Sequence, residues 1–198
     1  WYSGKNIEQM PALLREGRIP ISTATLFLLR LGKLTDSNKS QVDYLTNYFD
    51  TSDLLIYPAN DNSKLLYLLA TDKDNNPTQL GRKALSWINP SETLFNNGVD
   101  LSTQEGSNTR YEMISSQPKD KGIIPVTRAE LGKLEAGSSL REALDNKHWR
   151  ILLRHQDEVP AEFAIPDLYQ EAVNYIFQQY KTQHAPNEKL EDLKLMDI

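Results

Sequence analysis

The sequence predicts a mainly helical α+β domain with one β-hairpin and, as an open alternative, one further short strand. Two short apolar runs, residues 53–57 (DLLIY) and 64–70 (KLLYLLA), lie on either side of the turn-forming residues 58–63 (PANDNS), which is the pattern of a hairpin. Residues 23–34 are apolar on nearly all sides, as in a helix at the centre of a bundle. Helix-start signals and helical periodicity predict helices over most of the remaining chain.

Two capping boxes mark the starts of two helices in the second half of the chain. Thr127 is followed three residues later by Glu130, and Ser139 is followed by Glu142. In such a box the hydroxyl and the carboxylate satisfy backbone N–H groups that the first turn leaves without partners. We therefore predict one helix from residue 127 to residue 136, and a second from residue 139 to residue 156.

Periodicity and breaker residues predict the other elements in chain order. We expect further helices at residues 6–17, 37–49, 78–88 and 166–180. Residues 91–109 show no clean period. Residues 110–115 are predicted as a strand, and residues 122–126 as a short extended piece that contains Pro125.

A chain of 198 residues is long enough for one well-packed domain. We predict a single globular domain over residues 1–182, with a possible sub-boundary near residues 96–121, and an acidic amphipathic tail over residues 183–198. The tail spaces its apolar residues three apart and places acidic residues between them, at Leu190, Leu193 and Met196. Such a short strip is expected to dock on its own domain or on a partner, because it is too short to form a stable free helix.

The composition excludes several classes of site and protein. The chain has no cysteine, which excludes disulfides, thiolate metal sites and cysteine nucleophiles. No apolar run approaches the roughly 18–20 residues of a membrane-spanning helix. The first residues also lack the basic-then-apolar order of a signal peptide. We therefore expect a cytoplasmic protein that does not contact a membrane.

Motifs for common cofactors and metals are missing from the sequence. There is no phosphate-binding glycine motif, no zinc-protease motif and no serine-hydrolase elbow. The segment that begins at Asp72 resembles the start of a calcium loop, but Pro77 and Lys83 stand where a glycine and a bidentate glutamate are needed. We therefore expect no cofactor and no metal.

The predicted helix over residues 139–156 holds the richest group of candidate site residues. Treated as one unbroken helix, it places His148 and His155 on the same stripe as its apolar residues, and the cations Lys147, Arg150 and Arg154 on another side. This geometry predicts buried histidines and a solvated basic stripe, which is also a candidate binding surface for phosphate or an acidic partner. Asp145 precedes His148 by three residues and is a candidate to orient its ring for acid–base chemistry.

The order of elements over residues 6–88 resembles that of a winged helix-turn-helix domain. Three helices, a hairpin and a following helix occur in that order, and residues 76–86 (NPTQLGRKALS) resemble the segment after the wing. The resemblance implies DNA binding through the helix at residues 37–49. That helix and its immediate flanks carry three aspartates against one lysine, a charge that repels phosphate. Nucleic-acid binding is therefore not our leading hypothesis.

Three functions follow as hypotheses from these observations. The leading one is a non-catalytic protein interaction or assembly module, with a protein partner or a second copy of the chain as its ligand. The first alternative is an enzyme that uses Asp145 and His148 as its acid–base pair. The second is a winged-helix-like DNA-binding regulator in the N-terminal half.

Overall fold

A three-stranded antiparallel sheet lies at the core of the computed structural model, which describes residues 12–33, 51–86, 94–95, 99–100, 103–118, 121–132, 139–189 and 192. The helices whose bounds lie within the described residues are α1 (Thr23–Arg30), α2 (Gln79–Ser86), α3 (Gln104–Ser115), α4 (Leu140–Leu144), α5 (Lys147–Leu152) and α6 (Leu168–His184), and residues 12–15 are also helical. The strands are β1 (Leu54–Ile56), β2 (Lys64–Leu68), β3 (Leu94–Phe95), β4 (Val99–Asp100) and β5 (Ile123–Thr127), and a 3₁₀ turn, Arg128–Leu131, follows β5. The architecture is mainly helical α+β, as the sequence predicts.

The sheet has the strand order β1-β2-β5, so β2 is the central strand. Strand β1 pairs with β2 as the predicted hairpin, with Leu54 opposite Leu68. Strand β5, the predicted short extended piece, pairs with the other edge of β2, with Leu68 opposite Ile123. A separate hairpin of β3 and β4 lies within the region that shows no period.

Both faces of β2 are covered, which explains why its sequence does not alternate between apolar and polar residues. Leu66 and Leu68 point to one face, where they pack against α2 and α3. Tyr67 and Leu69 point to the other face, where they pack against residues of α5 and of the segment that follows it: Ile151, Val159 and Phe163. Each strand residue after Lys64 is buried.

Helix α1 packs against α6 beside this sheet. Phe27 of α1 contributes to a buried cluster with Leu153, Leu168 and Ala172. At the surface, Lys33 pairs with Glu171 of α6 at 2.6 Å. Ser22 caps α1 by accepting a hydrogen bond from the Thr25 N–H at 3.1 Å.

Two glycines allow the close approaches that hold the helices against the sheet. A Cβ at Gly81 of α2 would lie 2.6 Å from the Ala70 Cα, so only glycine lets α2 pack this closely on the chain that follows β2. Gly122 has φ +78°, and a Cβ there would lie 2.7 Å from the Phe163 ring.

The prediction of a strand over residues 110–115 is wrong. These residues form the second half of helix α3, Gln104–Ser115. The helix starts upstream, where the Thr103 hydroxyl accepts a hydrogen bond from the Gly106 N–H at 3.1 Å. Threonine at this position is a strong N-cap, and it starts a helix within polar residues whose pattern gave no helical signal.

The prediction of one unbroken helix over residues 139–156 is also wrong. The Ser139–Glu142 capping box forms as predicted and starts α4, but α4 ends at Leu144. Asn146 then starts α5 by accepting a hydrogen bond from the Trp149 N–H at 3.2 Å, and its Nδ2 donates to the Ala143 carbonyl at 2.7 Å. An asparagine inside a helical pattern favours such caps, because its side chain competes with the backbone for hydrogen bonds.

The predicted helix over residues 127–136 is instead a 3₁₀ turn, Arg128–Leu131, which ends at Gly132, where φ is +69°. Other predicted elements lie close to their expected positions or outside the described residues. Helix α2 and helix α6 lie within or close to the predicted ranges 78–88 and 166–180. The segment that begins at Asp72 is a polar turn, in which the Asp72 carboxylate accepts hydrogen bonds from the Asp74 and Asn76 N–H groups. The predicted helix over residues 37–49 lies outside the described residues, as do residues 190–191 and 193–198 of the acidic tail.

Candidate functional site

The residues that the sequence singles out lie on α5 and on the turns at its two ends. The break at Asn146 sets Asp145 before α5, while Lys147, His148 and Arg150 lie within it. Arg154 and His155 follow the helix, and Arg154 has φ +60°, the left-handed conformation. Because residues 139–156 do not form one helix, their side chains do not sort into the two stripes that a regular helix would give.

His148 forms a hydrogen-bonded pair with Tyr67 of the central strand. The Tyr67 hydroxyl and the His148 Nδ1 lie 2.6 Å apart, and both groups are partly or fully buried. Burial lowers the pKa of His148 below its usual 6.5 and raises the pKa of Tyr67 to about 12. Near neutral pH the phenol therefore keeps its proton and the imidazole is uncharged.

The direction of this hydrogen bond decides which ring nitrogen carries the proton. Tyr67 is 2% exposed, and its hydroxyl has no other acceptor among the described residues, so its proton is best used in a hydrogen bond to Nδ1 of His148. The imidazole proton then lies on Nε2. A neutral histidine with its proton on the outer nitrogen presents a hydrogen-bond donor there, and not a base.

Asp145 does not orient His148 as the sequence suggested. Its Oδ1 accepts a hydrogen bond from the Tyr169 hydroxyl of α6 at 3.0 Å and lies 3.9 Å from Arg150. Among the described residues, no hydrogen bond joins Asp145 to His148. The helix break explains the difference, because Asp145 is the residue that ends α4 and not a member of the turn that carries His148.

Lys147 and Arg150 lie among carboxylates of their own chain. Lys147 pairs with Glu130 at 2.6 Å and lies 3.9 Å from Glu158, while Arg150 lies 3.3 Å from Glu158 and 3.7 Å from Asp157. Glu130 also accepts from the Thr127 N–H at 2.7 Å, and the hydrogen bonds from Lys147 and Thr127 lower its pKa to about 2. The two cations are therefore largely neutralised by neighbouring charges.

Arg154 does not belong to a solvated basic stripe, so that prediction is wrong. Its side chain is 0% exposed, and its Nη2 donates to Oδ1 of Asp53 at 2.8 Å. The Asp53 side chain is 1% exposed, and its Oδ2 accepts from the Thr23 N–H at 3.0 Å at the start of α1. The pair thus ties α1 to the turn after α5 inside the protein.

His155 also departs from the predicted inward stripe. Its side chain is 26% exposed, and its Nδ1 accepts a hydrogen bond from the Asp157 N–H at 3.3 Å. Its ring lies edge-to-face against Tyr169, with centroids 5.3 Å apart. His155 is therefore a surface residue that helps to fix the turn after α5.

The edge strand β1 and the residue that follows it carry exposed apolar side chains that the sequence analysis did not single out. Leu55 is 45% exposed and Tyr57 is 55% exposed. Strand β1 is an edge of the sheet, and no strand of the described chain pairs with its outer side. The alternation of the run DLLIY could have shown this surface, since Leu54 and Ile56 face the core while Leu55 and Tyr57 face outward.

The other edge of the sheet differs in chemistry. Strand β5 contains Pro125, which is exposed and has no backbone N–H with which to pair a further strand. Proline is one of the devices that block edge-to-edge pairing of sheets, whereas β1 contains neither proline nor lysine. The two edges are thus unequal: β5 contains an exposed proline, whereas the three residues of β1 include none.

Searches of the described residues for metal and membrane features give negative results. They contain no group of three or more His, Asp or Glu side chains placed to hold a metal ion. Within the same residues, no helix has the length and apolar character needed to cross a membrane. Comparisons of the chain with protein-family models, curated proteins and solved structures find no match.

Proposed function

We propose that this protein is a non-catalytic interaction module, and that a protein partner adds an extended segment to the outer edge of β1. The observation that carries the proposal is the exposure of Leu55 and Tyr57 on an edge strand that has no blocking residue. Strand addition supplies main-chain hydrogen bonds, and alternate side chains supply specificity. A partner strand with an apolar residue opposite Leu55 would fit this edge.

The end of β1 is held in place for such pairing. The Tyr57 carbonyl accepts a hydrogen bond from the Ser107 hydroxyl of α3 at 3.1 Å. The Asn108 side chain accepts from the Ala59 N–H at 2.8 Å. An edge that is fixed before binding loses little conformational entropy when the partner arrives.

The contacts of the other candidate residues give less support to the two alternatives. An enzyme that uses Asp145 and His148 needs the carboxylate to orient the ring, and Asp145 is bonded to Tyr169 instead. The DNA-binding alternative depends on the helix at residues 37–49, which lies outside the described residues, and that segment with its flanks carries three aspartates against one lysine, a charge that repels phosphate.

The proposal is tested by placing a photo-crosslinking residue at position 55 and, as a matched control, at position 125 on the opposite edge. Both proteins are irradiated as purified chains and in an extract of the cells that make the protein. We expect protein adducts from position 55 and not from position 125. We expect Tyr57→Lys to reduce the yield of adducts from position 55.

Binding energy follows from the area that these side chains can bury. Complete burial of a large apolar side chain stabilises by about 1.5–3 kcal/mol, and Leu55 and Tyr57 each have about half of their surface left to bury. Replacing both with lysine should weaken binding by about 2–3 kcal/mol, or roughly 30- to 150-fold. Equal adduct yields from positions 55 and 125, together with a monomer in sedimentation at high concentration, would overturn the proposal.

A further inference from the structure

The buried guanidinium of Arg154 has a hydrogen-bond partner for only one of its nitrogens. Its Nη2 donates to Oδ1 of Asp53 at 2.8 Å. Its Nε and Nη1 are also buried, and neither has a hydrogen-bond partner among the described residues. Buried polar groups in native proteins almost always have a partner, either another protein group or an ordered water. These two nitrogens therefore need acceptors other than the described side chains and backbone.

The guanidinium cannot turn toward solvent, because the residue that carries it is held on several sides. The Arg154 N–H donates to the Ile151 carbonyl at 3.0 Å, and the Arg154 carbonyl accepts from the Ile165 N–H at 3.1 Å. Asp53, at the other end of the ion pair, is held by the Thr23 N–H at 3.0 Å. The donors on Nε and Nη1 are therefore fixed inside the junction between α1 and the turn after α5.

The ion pair uses less of the carboxylate than an arginine can. Nε–H and one N–H of Nη2 point in the same direction, so a carboxylate can accept from both of them at once. Asp53 accepts from Nη2 and not from Nε. Its Oδ2 accepts instead from Thr23, at the start of α1. The carboxylate is thus shared between Arg154 and the helix, and its oxygens keep lone pairs for a further donor.

A neutral acceptor suits this position better than an anion does. An anion would add a second negative charge beside Asp53, with Arg154 as the single cation paired to that carboxylate among the described residues. A water molecule can accept from a guanidinium N–H and donate to a carboxylate oxygen. Internal waters occur about once per 27 residues and make about three hydrogen bonds to buried polar groups, so a chain of 198 residues is expected to hold several.

We propose that a long-lived internal water accepts a hydrogen bond from Nε of Arg154 and donates one to the carboxylate of Asp53. The water adds a second, bridged connection to the direct contact between Nη2 and Oδ1. It also gives Nε the acceptor that a buried donor requires. The site lies inside the protein and away from β1, so its test is independent of the proposed function.

The test is NMR spectroscopy of ¹⁵N- and ¹³C-labelled protein at slightly acidic pH, where buried arginine Nε–H signals are observed. Through-bond correlations assign the Nε–H signal of Arg154. We expect a cross-peak between this proton and water that has the sign of the diagonal in a NOESY spectrum and the opposite sign in a ROESY spectrum. These signs identify water that stays bound for longer than the protein takes to tumble, whereas direct proton exchange gives the sign of the diagonal in both spectra.

Two variants separate bound water from nearby hydroxyl groups, which exchange protons with water and can relay the signal. Thr23→Val removes the hydroxyl that donates to Thr51 at 3.2 Å and keeps the N–H that donates to Asp53. Ser52→Ala removes the buried hydroxyl of the residue before Asp53. We expect the cross-peak between Arg154 and water to remain in both variants. Circular dichroism verifies that each variant is folded.

Three results would overturn the proposal. An assigned Nε–H signal of Arg154 without a cross-peak to water would show that no long-lived water contacts this nitrogen. Loss of the cross-peak in either variant would show that it came from a hydroxyl group. An Nε–H signal that is broadened by exchange, or that has the sign of the diagonal in both spectra, would show that the guanidinium is open to bulk solvent.

Discussion

Replacing Arg154 with methionine should be among the most damaging single substitutions in this protein. Arg154 is fully buried and donates to Asp53 at 2.8 Å, and the Asp53 carboxylate is itself buried at the start of α1. Without Arg154, Asp53 has the Thr23 N–H as its remaining donor among the described residues. Removing one partner of a buried ion pair costs about 3–5 kcal/mol, because the other charge is left uncompensated in a medium of low dielectric constant.

A double-mutant cycle isolates the ion pair from the packing of the arginine side chain. Asp53→Asn keeps an oxygen that can accept from Thr23 but removes the negative charge. We expect Asp53→Asn with Arg154→Met to be far less damaging than the sum of the single changes, with a coupling energy at least as large as the loss from Arg154→Met alone, about 3–5 kcal/mol. The double variant should approach the stability of the original protein, since Nε and Nη1 of Arg154 have no hydrogen-bond partner among the described residues and methionine has no such polar groups.

Urea unfolding at 25 °C, followed by intrinsic fluorescence, measures these free energies. With a slope near 2 kcal/mol per molar urea, a loss of about 3–5 kcal/mol lowers the midpoint by about 1.5–2.5 M. Lys33→Gln is the control, because it removes an exposed pair with Glu171 and should cost about 0–1 kcal/mol. The reasoning is refuted if Arg154→Met costs no more than this control, or if the two single effects add within about 0.5 kcal/mol.

Three further predictions concern pH and backbone conformation. Burial lowers the pKa of His148 below 6.5, so the unfolded chain takes up a proton on this residue at a higher pH than the native protein does. The free energy of unfolding should therefore fall as the pH drops below about 6.5. An NMR titration that places the pKa of native His148 at or above 6.5 would contradict this prediction. Lys147→Met should raise the pKa of Glu130 from about 2 toward 4.5, measured from the carboxyl ¹³C shift, and an unchanged value would show that Lys147 is not the main cause. Gly132→Ala should cost about 1–3 kcal/mol from its backbone conformation alone, because φ +69° and ψ 174° lie in a region that is essentially restricted to glycine and a Cβ there has no neighbour within 4 Å. Gly122→Ala should cost about 2–5 kcal/mol because its Cβ also meets the Phe163 ring. Equal losses in urea unfolding would contradict the contact.

Local signals in the sequence correctly predicted the structural features that depend on a single element or a single turn. The hairpin of β1 and β2 follows from turn residues between two short apolar runs. The start of α4 follows from Ser139 and Glu142, whose side chains and backbone satisfy each other within one turn. The failed calcium loop is a polar turn for the same reason, since Asp72 can bond to N–H groups two and four residues ahead.

The predicted grouping of side chains into an apolar and a basic stripe was wrong because it assumed a helix that does not continue. The stripe assignments assumed 100° per residue from residue 139 to residue 156, and the asparagine cap at residue 146 resets that angle. Arg154 lies beyond the end of α5 in a left-handed conformation, so no helical projection describes its direction. Because Asn146 begins a new helix that ends before Arg154, Arg154 is the buried partner of Asp53 and not the solvated cation that the sequence predicted.

The sequence by itself determined the fold class, the hairpin, the absence of cysteine chemistry and the two capping boxes at Thr127 and Ser139, because these depend on composition or on residues within one turn of each other. Only the tertiary structure decided the partners of the candidate residues: Tyr67 lies 81 positions from His148, and Asp53 lies 101 positions from Arg154. A cleft between α2 and α3 likewise joins residues 78–80 and 83 with residues 113, 114, 117 and 121. Contacts across such distances are set by how the elements pack, and no periodicity in a single chain records them.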